Sequence, residues 1–354
     1  MAAASDRAQM LNGQSPLRIF RPLGERQEAV MSELTSRVSE LSPSRRKLFE
    51  ELLKAKDDCP EPAPIVHGER SKEPATTTDT KRTCQQFFDG INRQLDQTLF
   101  GKYSLYLNFG YVPDDRGGYA SIPVPEHTLN RNSMRLVLEV VGDCPLEKRR
   151  ILDVGCGRGG TAAVIHQYFQ AKQFIGMDLS YEAIRFCKAN HCYSGFAFHQ
   201  GDAESLPFPD TSMDVVINIE SSSSYPNIRA FFCEVFRVLV DGGDFLYSDV
   251  LPVRRMSECT ALLKTIGFQV VQDRDITSNV LLSCDEVARN RMLAYRTASQ
   301  IAELSGFLGA PGSAVYEDMK NGSRTYRILR LQRAGNQGQP ERVVDCLPFR
   351  GALE

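Results

Sequence analysis

The sequence has no surplus of either charge. Its 42 Lys and Arg side chains face 44 Asp and Glu, a formal net charge of -2. A protein that grips nucleic acid by its phosphates needs a basic surface, so no nucleic-acid partner is expected. No two of the ten cysteines stand in a CxxC pair, and only five histidines, at 67, 127, 166, 191 and 199, accompany them. A zinc centre needs several such ligands at deliberate spacing, so no metal site is expected. A chain of 354 residues does not need disulfide staples either, and the thiols read as scattered and reduced. No stretch approaches the roughly 18 uninterrupted apolar residues of a membrane span. Met1–Ser5 runs into Asp6 and Arg7 without the apolar core of a secretory signal. No membrane partner is expected, and the expected compartment is the cytoplasm.

Hydrophobic residues make up 42% of the chain, enough for a sizeable core. Composition divides it into zones. Residues 1–57 carry two short helical patterns, Gln27–Leu41 and Arg45–Lys56, with Met31, Leu34, Val38 and Leu41 at helical spacing. Ser42 and Pro43 suit an N-cap followed by a first helical position. Residues 58–80 are rich in Pro, Ser, Thr and charge and read as a disordered linker. Residues 81–333 read as the globular domain and 334–354 as a tail. Within the domain, Cys84–Phe100 reads as an amphipathic helix with Phe87, Phe88, Ile91 and Leu95 on one side. Leu129–Gly142 reads as another helix. Apolar runs at Arg150–Val154, Phe174–Asp178, Phe196–Gln200, Val215–Ile219 and Gly243–Ser248 then alternate with helices starting at Gly160, Tyr181 and Ile228. Such βαβα alternation predicts a parallel sheet covered by helices on both faces. Phe268–Arg274 and Arg324–Leu331, around helices at Cys284–Leu304, fit a closing antiparallel pair.

The chemistry concentrates where the first strand ends. Asp153-Val154 leads into Gly155-Cys156-Gly157-Arg158-Gly159-Gly160, and a helix follows. Glycines permit positive φ and close approach of a ligand. Gly155, Gly157 and Gly160 satisfy GxGxxG, which alone fits either a dinucleotide site or a plain tight turn. Asp153 would sit badly beside a pyrophosphate, whereas a carboxylate suits the ammonium of an aminoacyl group. Asp178 ends the next strand, about where a ribose-binding acid is expected. Asp202 follows the third, within reach of an adenine amine. Each is commonplace as a turn residue or cap. Three successive strand-end acids at one crevice are not.

These stretches, Asp153–Gly160, Gly176–Ser180 and Gly201–Phe208, resemble the successive motifs of class I S-adenosylmethionine-dependent methyltransferases. The resemblance covers roughly Thr128–Ser248. It implies an α/β, Rossmann-like fold: a seven-stranded, mostly parallel sheet with helices on both faces, the last strand antiparallel, plus an N-terminal helical lid. The lid would be residues 81–127, the cofactor-binding core 128–250 and an acceptor insertion 277–322. The implied cofactor is S-adenosylmethionine. Asp153, Gly155, Cys156 and Gly157 would lie at its methionine end, Asp178 and Leu179 at the ribose, Asp202 and Ala203 at the adenine. Tyr106 and Glu220 would complete the site.

Leu129–Ser133, Phe236–Leu239, Phe245–Asp249 and Asp275–Glu286 resemble methyltransferase domains of modular polyketide and mixed polyketide–peptide synthases, O-methyltransferase domains in particular. Leu41–Leu48 resembles their interdomain linkers. This implies O-methylation of a hydroxyl or enol on a polyketide-like acceptor, a small molecule or one linked to an acyl carrier protein, with neighbouring synthase domains as partners. Methyl transfer to carbon or nitrogen is the alternative. In that family a histidine follows the strand-four Glu by three positions and acts as general base; here the position is Ser223. A lost base typically costs ~10²–10⁴-fold. Three readings stand: His127 or Glu220 takes the proton, the acceptor is acidic enough to need little help, or the chain is a catalytically impaired cofactor-binding module. The loop Ser221–Pro226 faces the reactive methyl by sheet geometry, unless the serine run is simply a flexible connection. His166 and His199 read as structural.

Overall fold

Arg150–Val154 forms β1, and Ile151, Leu152 and Val154 are wholly buried. A strand covered on both faces reads as a continuous apolar run rather than an alternation, and this one sits at the middle of the sheet. The computed structural model describes residues 77–97, 103–113, 122–126, 128, 130–294 and 309–335. The expected helices at Gln27–Leu41 and Arg45–Lys56, the linker up to residue 76, His127 and most of the tail lie outside them.

Helix α1 (Thr77–Asp96) and α2 (Arg131–Val141) precede β1. Then follow α3 (Gly160–Tyr168), β2 (Gln173–Asp178), α4 (Tyr181–Asn190), β3 (Phe196–Gln200), β4 (Met213–Ile219), α5 (Ile228–Val238) and β5 (Leu239–Pro252). The chain ends through α6 (Val253–Ile266), β6 (Phe268–Asp275), α7 (Thr277–Ala294), α8 (Ala314–Lys320) and β7 (Arg324–Arg333). The seven strands lie in the order β3-β2-β1-β4-β5-β7-β6. The first five run parallel, and β7 is antiparallel to both β5 and β6. The closing antiparallel pair and the sheet covered on both faces are as the sequence implies. One face packs Leu136, Val137 and Val140 of α2 over Ile151, Val215 and Ile217. The other packs Phe231, Phe232 and Leu263 of α5 and α6 over Leu152, Val216 and Phe245. Strand order reverses between β1 and β4, which opens a crevice at their carboxyl ends, where such sheets bind ligands. Among the described residues no helix is long and apolar enough to cross a membrane.

Two expectations are corrected here. Helix α1 runs from Thr77 to Asp96, not from Cys84 to Phe100, and takes in the last four residues assigned to the linker. Its inward side is also rotated from the expected one. Phe87 is 50% exposed, while Ile91 and Asn92 are buried. Helix α6 was not anticipated, although Met256, Cys259, Leu263 and Ile266 are its buried residues at helical spacing.

What holds α1 over the crevice is polar. The Arg158 side chain, fully buried, leaves the glycine turn and donates to Ser104 O at 2.8 Å, Asn92 Oδ1 at 3.2 Å and Asp96 Oδ1 at 2.9 Å. Its guanidinium lies 3.6 Å above the Phe186 ring of α4. Asp89 accepts from the Ser180 hydroxyl and the Glu182 N–H, so α1 also grips the start of α4. Removing one partner of a buried ion pair leaves the other groups unsatisfied and costs about 3–5 kcal/mol. Arg158→Ala is therefore expected to lower the free energy of unfolding by ~3 kcal/mol, read from urea denaturation; a loss within ~0.5 kcal/mol, the range of ordinary surface substitutions, would show that α1 is held by other contacts.

Candidate active site

The turn after β1 is built on left-handed backbone. Gly155, Gly157 and Gly159 have φ of 76°, 51° and 76°, a region that side chains with a Cβ resist. A Cβ on Gly155 would collide with the Ser221 side chain and stand 2.9 Å from the Tyr225 hydroxyl. A Cβ on Gly157 would meet nothing within 4 Å. The first glycine thus admits protein, while the space beside the second belongs to the pocket.

That pocket encloses about 1110 Å³, part of it open to solvent. Gly155, Cys156, Gly157, Asp178, Leu179, Asp202, Ala203, Glu220 and Tyr106, nine of the residues singled out from the sequence, all line it. Asp178 accepts from the Gly157 N–H and the Ser180 N–H, each at 2.8 Å. The Leu179 N–H also bonds this carboxylate, which leaves it one lone pair for a hydroxyl of a bound ribose. Asp202 is already engaged, its Oδ2 paired with Lys81 at 2.6 Å and its Oδ1 accepting from the Glu204 N–H. Lys81 also pairs with Glu204, so α1 is latched over the third strand's end.

Two predicted residues stand elsewhere. Asp153 is 1% exposed and not on the pocket wall. Burial raises its carboxyl to about 7, against a hydrogen bond from Thr161, and its Oδ2 has no partner. It sits one residue short of Val154, the β1 residue on the pocket wall, with Thr161 of α3 as its hydrogen-bond partner. Ser223 is exposed and off the wall too. Its run is no slack loop. Ser222–Ser224 forms a 3₁₀ turn, fastened by the buried Asp249, which accepts from the Ser222 hydroxyl at 2.7 Å and the Ser223 N–H at 2.9 Å. His127 lies outside the described residues. His166 stacks on Tyr193, away from the pocket.

Glu220 stands at another part of the wall. It follows β4 with φ of 50°, unusual for a residue with a side chain. The turn carries its carboxylate to two donors: the Tyr326 hydroxyl at 2.6 Å and the Phe109 N–H at 2.9 Å, both on Oε1. Burial lifts its carboxyl to about 8, opposed by these two hydrogen bonds and helped by the charge of Asp249. The sequence did not single out Lys81, Cys84, Asn92, Arg158, Tyr225 or Tyr326. Of these, Lys81, Cys84 and Asn92 fall with Phe88 on one side of a helix at steps of three and four, a legible signal once the helix start is right. Tyr326 gave none, being an apolar-strand residue 106 positions from its partner.

Four carboxylates, Asp178, Asp202, Glu204 and Glu220, line the pocket, and its lysine and arginine are paired elsewhere: Lys81 with two of these acids, Arg158 with Asp96. An acid-lined site suits a cationic ligand and opposes a pyrophosphate. With the open flank of Gly157 and the free lone pair of Asp178, these residues fit a cofactor that joins an adenosyl group to a positively charged sulfur.

A family described as a methyltransferase domain matches residues 152–247. The fatty-acid O-methyltransferase of Mycolicibacterium smegmatis is 34% identical over 249 residues, 70% of this chain and 90% of that one. The phthiotriol/phenolphthiotriol dimycocerosates methyltransferase of Mycobacterium tuberculosis is 33% identical over 259 residues, 72% and 93%. A solved geranyl diphosphate methyltransferase in complex with GPP and sinefungin aligns with a TM-score of 0.52 at 18% identity, over 74% of this chain and all of that one. At that identity the likeness concerns the fold. The chain belongs to the class I S-adenosylmethionine-dependent methyltransferases. Its cofactor is S-adenosylmethionine.

The two glycines should respond differently. Gly157→Val is expected to cost only the ~1–2 kcal/mol of a left-handed side chain and to weaken S-adenosylmethionine binding at least ~10-fold by calorimetry, about 1.4 kcal/mol. Gly155→Ala, driven into Ser221, should lower the melting temperature more. Equal cofactor affinity in Gly157→Val and the unaltered chain would remove that glycine from the site.

Proposed function

We propose that this enzyme methylates the oxygen of a neutral hydroxyl or enol on a long-chain, polyketide- or lipid-like acceptor, with Glu220 taking the proton. The observation that carries this reading is the Glu220 carboxyl itself: on the pocket wall, held by two donors and raised to about 8. A general base works best with a pKa near the working pH. Ser223 has no such part in this reading, since it lies off the pocket wall and both its N–H and its hydroxyl donate to Asp249. The names of the two bacterial relatives, which concern a fatty acid and a phthiotriol lipid, support a long-chain acceptor. Whether that acceptor is free or carried on an acyl carrier protein, the same carboxylate would serve.

Bound S-adenosylmethionine supplies a methyl group on a sulfonium, already strongly electrophilic. The chain's residues do the rest. Gly155 and Gly157 give backbone access to the amino-acid end, Asp178 and Leu179 hold the ribose, and Asp202 with Ala203 borders the adenine. Helix α1 and Tyr106 close the mouth against water. Glu220 receives the acceptor's proton and delivers it to solvent.

The test offers both chemistries side by side: a 3-hydroxydodecanoyl thioester, whose hydroxyl needs a base, and dodecanoic acid, whose carboxylate needs none. Mass spectrometry should find a methyl-sized gain on the thioester's hydroxyl. Glu220→Gln should cut that turnover ~10²–10⁴-fold while calorimetric cofactor binding stays intact. Because the carboxylate is the active form, the rate should climb with pH and level off above about 8. Methylation of the acid alone, indifferent to Glu220→Gln, would replace the hydroxyl reading with a carboxylate one.

A further inference from the structure

Tyr326 lies in β7, wholly buried, and is not part of the pocket wall. Its backbone is fixed on both sides: its N–H donates to Thr277 Oγ1 at 2.9 Å, and its carbonyl accepts from the Ile276 N–H at 2.9 Å. Its ring packs against Phe109, with centroids 6.5 Å apart. A side chain so confined has little freedom to do anything but point its hydroxyl at Glu220 Oε1, 2.6 Å away. The Phe109 N–H meets the same oxygen. Two donors from distant parts of the chain thus load one oxygen of one carboxylate.

We propose that Tyr326 is a positioning residue for methyl transfer: by holding Oε1 of Glu220, it commits Oε2 to the acceptor. The proposal rests on the reading of Glu220 as proton acceptor. The last torsion of a Glu side chain is broad, so an unpinned carboxylate would present its oxygens in many directions. The phenol selects one. It also donates to the charged form and so opposes the burial that favours the neutral acid. Burial and the nearby Glu220 charge push the Tyr326 phenol far above its ordinary range, so it remains a donor throughout. The titratable groups facing Glu220 are Tyr326 from β7 and Asp249 from β5, and the third neighbour is the Phe109 peptide. Among the described residues no lysine, arginine or histidine pairs with Glu220 that could set its charge instead. The proton leaves the acceptor oxygen for Oε2 and passes to water.

A readout independent of turnover decides it. Infrared difference spectra between the full chain and Glu220→Gln isolate the Glu220 carboxyl, and its titration is followed with S-adenosylhomocysteine present. Tyr326→Phe is expected to raise the midpoint by about one pH unit, a tenfold rise in proton affinity, with S-adenosylmethionine affinity by calorimetry within about twofold. In the pH–rate profile on the 3-hydroxydodecanoyl thioester, the rising limb should move up with it. Replacing Tyr326 by 3-fluorotyrosine, a more acidic phenol and a stronger donor, should move the midpoint down. That arm stands even where Tyr326→Phe fails to fold. Unchanged midpoints in folded variants, with Glu220→Gln inactive on the thioester, overturn the role of Tyr326 alone. Full thioester turnover by Glu220→Gln overturns Glu220 as proton acceptor, and the proposal with it.

Discussion

The N–H of Gly157 ends on the carboxylate of Asp178, 2.8 Å away across two neighbouring strand tips. That bond can form only because the turn after β1 runs through left-handed backbone at Gly155, Gly157 and Gly159. Much else is arranged around it. The bare flank of Gly155 receives Ser221 and Tyr225, whose hydroxyls meet at 2.7 Å, and Asn218 links Tyr225 to Val154 O. The ends of β1 and β4 are thereby tied together at the point where the sheet changes direction. Between the glycines, Arg158 sends its guanidinium the other way, into α1 and α4. A single short turn therefore shapes the floor of the pocket and anchors its cover. The chemistry demands both at once, because alignment and exclusion of water are the protein's main contributions to transferring a group that is already reactive.

Electrostatics divides the pocket into two ends. At one end, Lys81 neutralises Asp202 and Glu204, and Asp178 is clothed in backbone N–H groups. At the other end, Glu220 has only neutral donors and a like charge, Asp249, nearby. The same residue type thus stands ion-paired or clothed in backbone N–H groups in one place and raised in pKa by burial in the other. Environment decides the difference.

The frame was legible because its signals are local. The alternation of apolar runs and helical stretches gave the sheet, and two of the three strand-tip acids, Asp178 and Asp202, line the pocket. Asp153, one residue short of Val154 on the wall, is buried instead. Closeness to the turn along the chain concealed that depth. The start of α1 at Thr77 was masked by polar residues that are helical only because Lys81, Asp89 and Asp96 find partners on the core. The Ser223 position drew attention through family likeness, yet the 3₁₀ turn and Asp249 direct it outward. Tyr326 could not be read at all. Its meaning lies in a contact spanning 106 positions, which no local pattern encodes.

The placement of β7 bears on the order in which the molecule can assemble. Although it is the last strand among the described residues, it lies between β5 and β6 and pairs with both. During synthesis β6 emerges with no neighbour to join, and the outer border of β5 stays open, until residues 324–333 have left the ribosome. Unpaired strand borders invite pairing with other chains. The interval between β6 and β7, which contains α7 and α8, is therefore a window of vulnerability for the newborn polypeptide, and the hydroxyl that secures Glu220 arrives only as that window shuts.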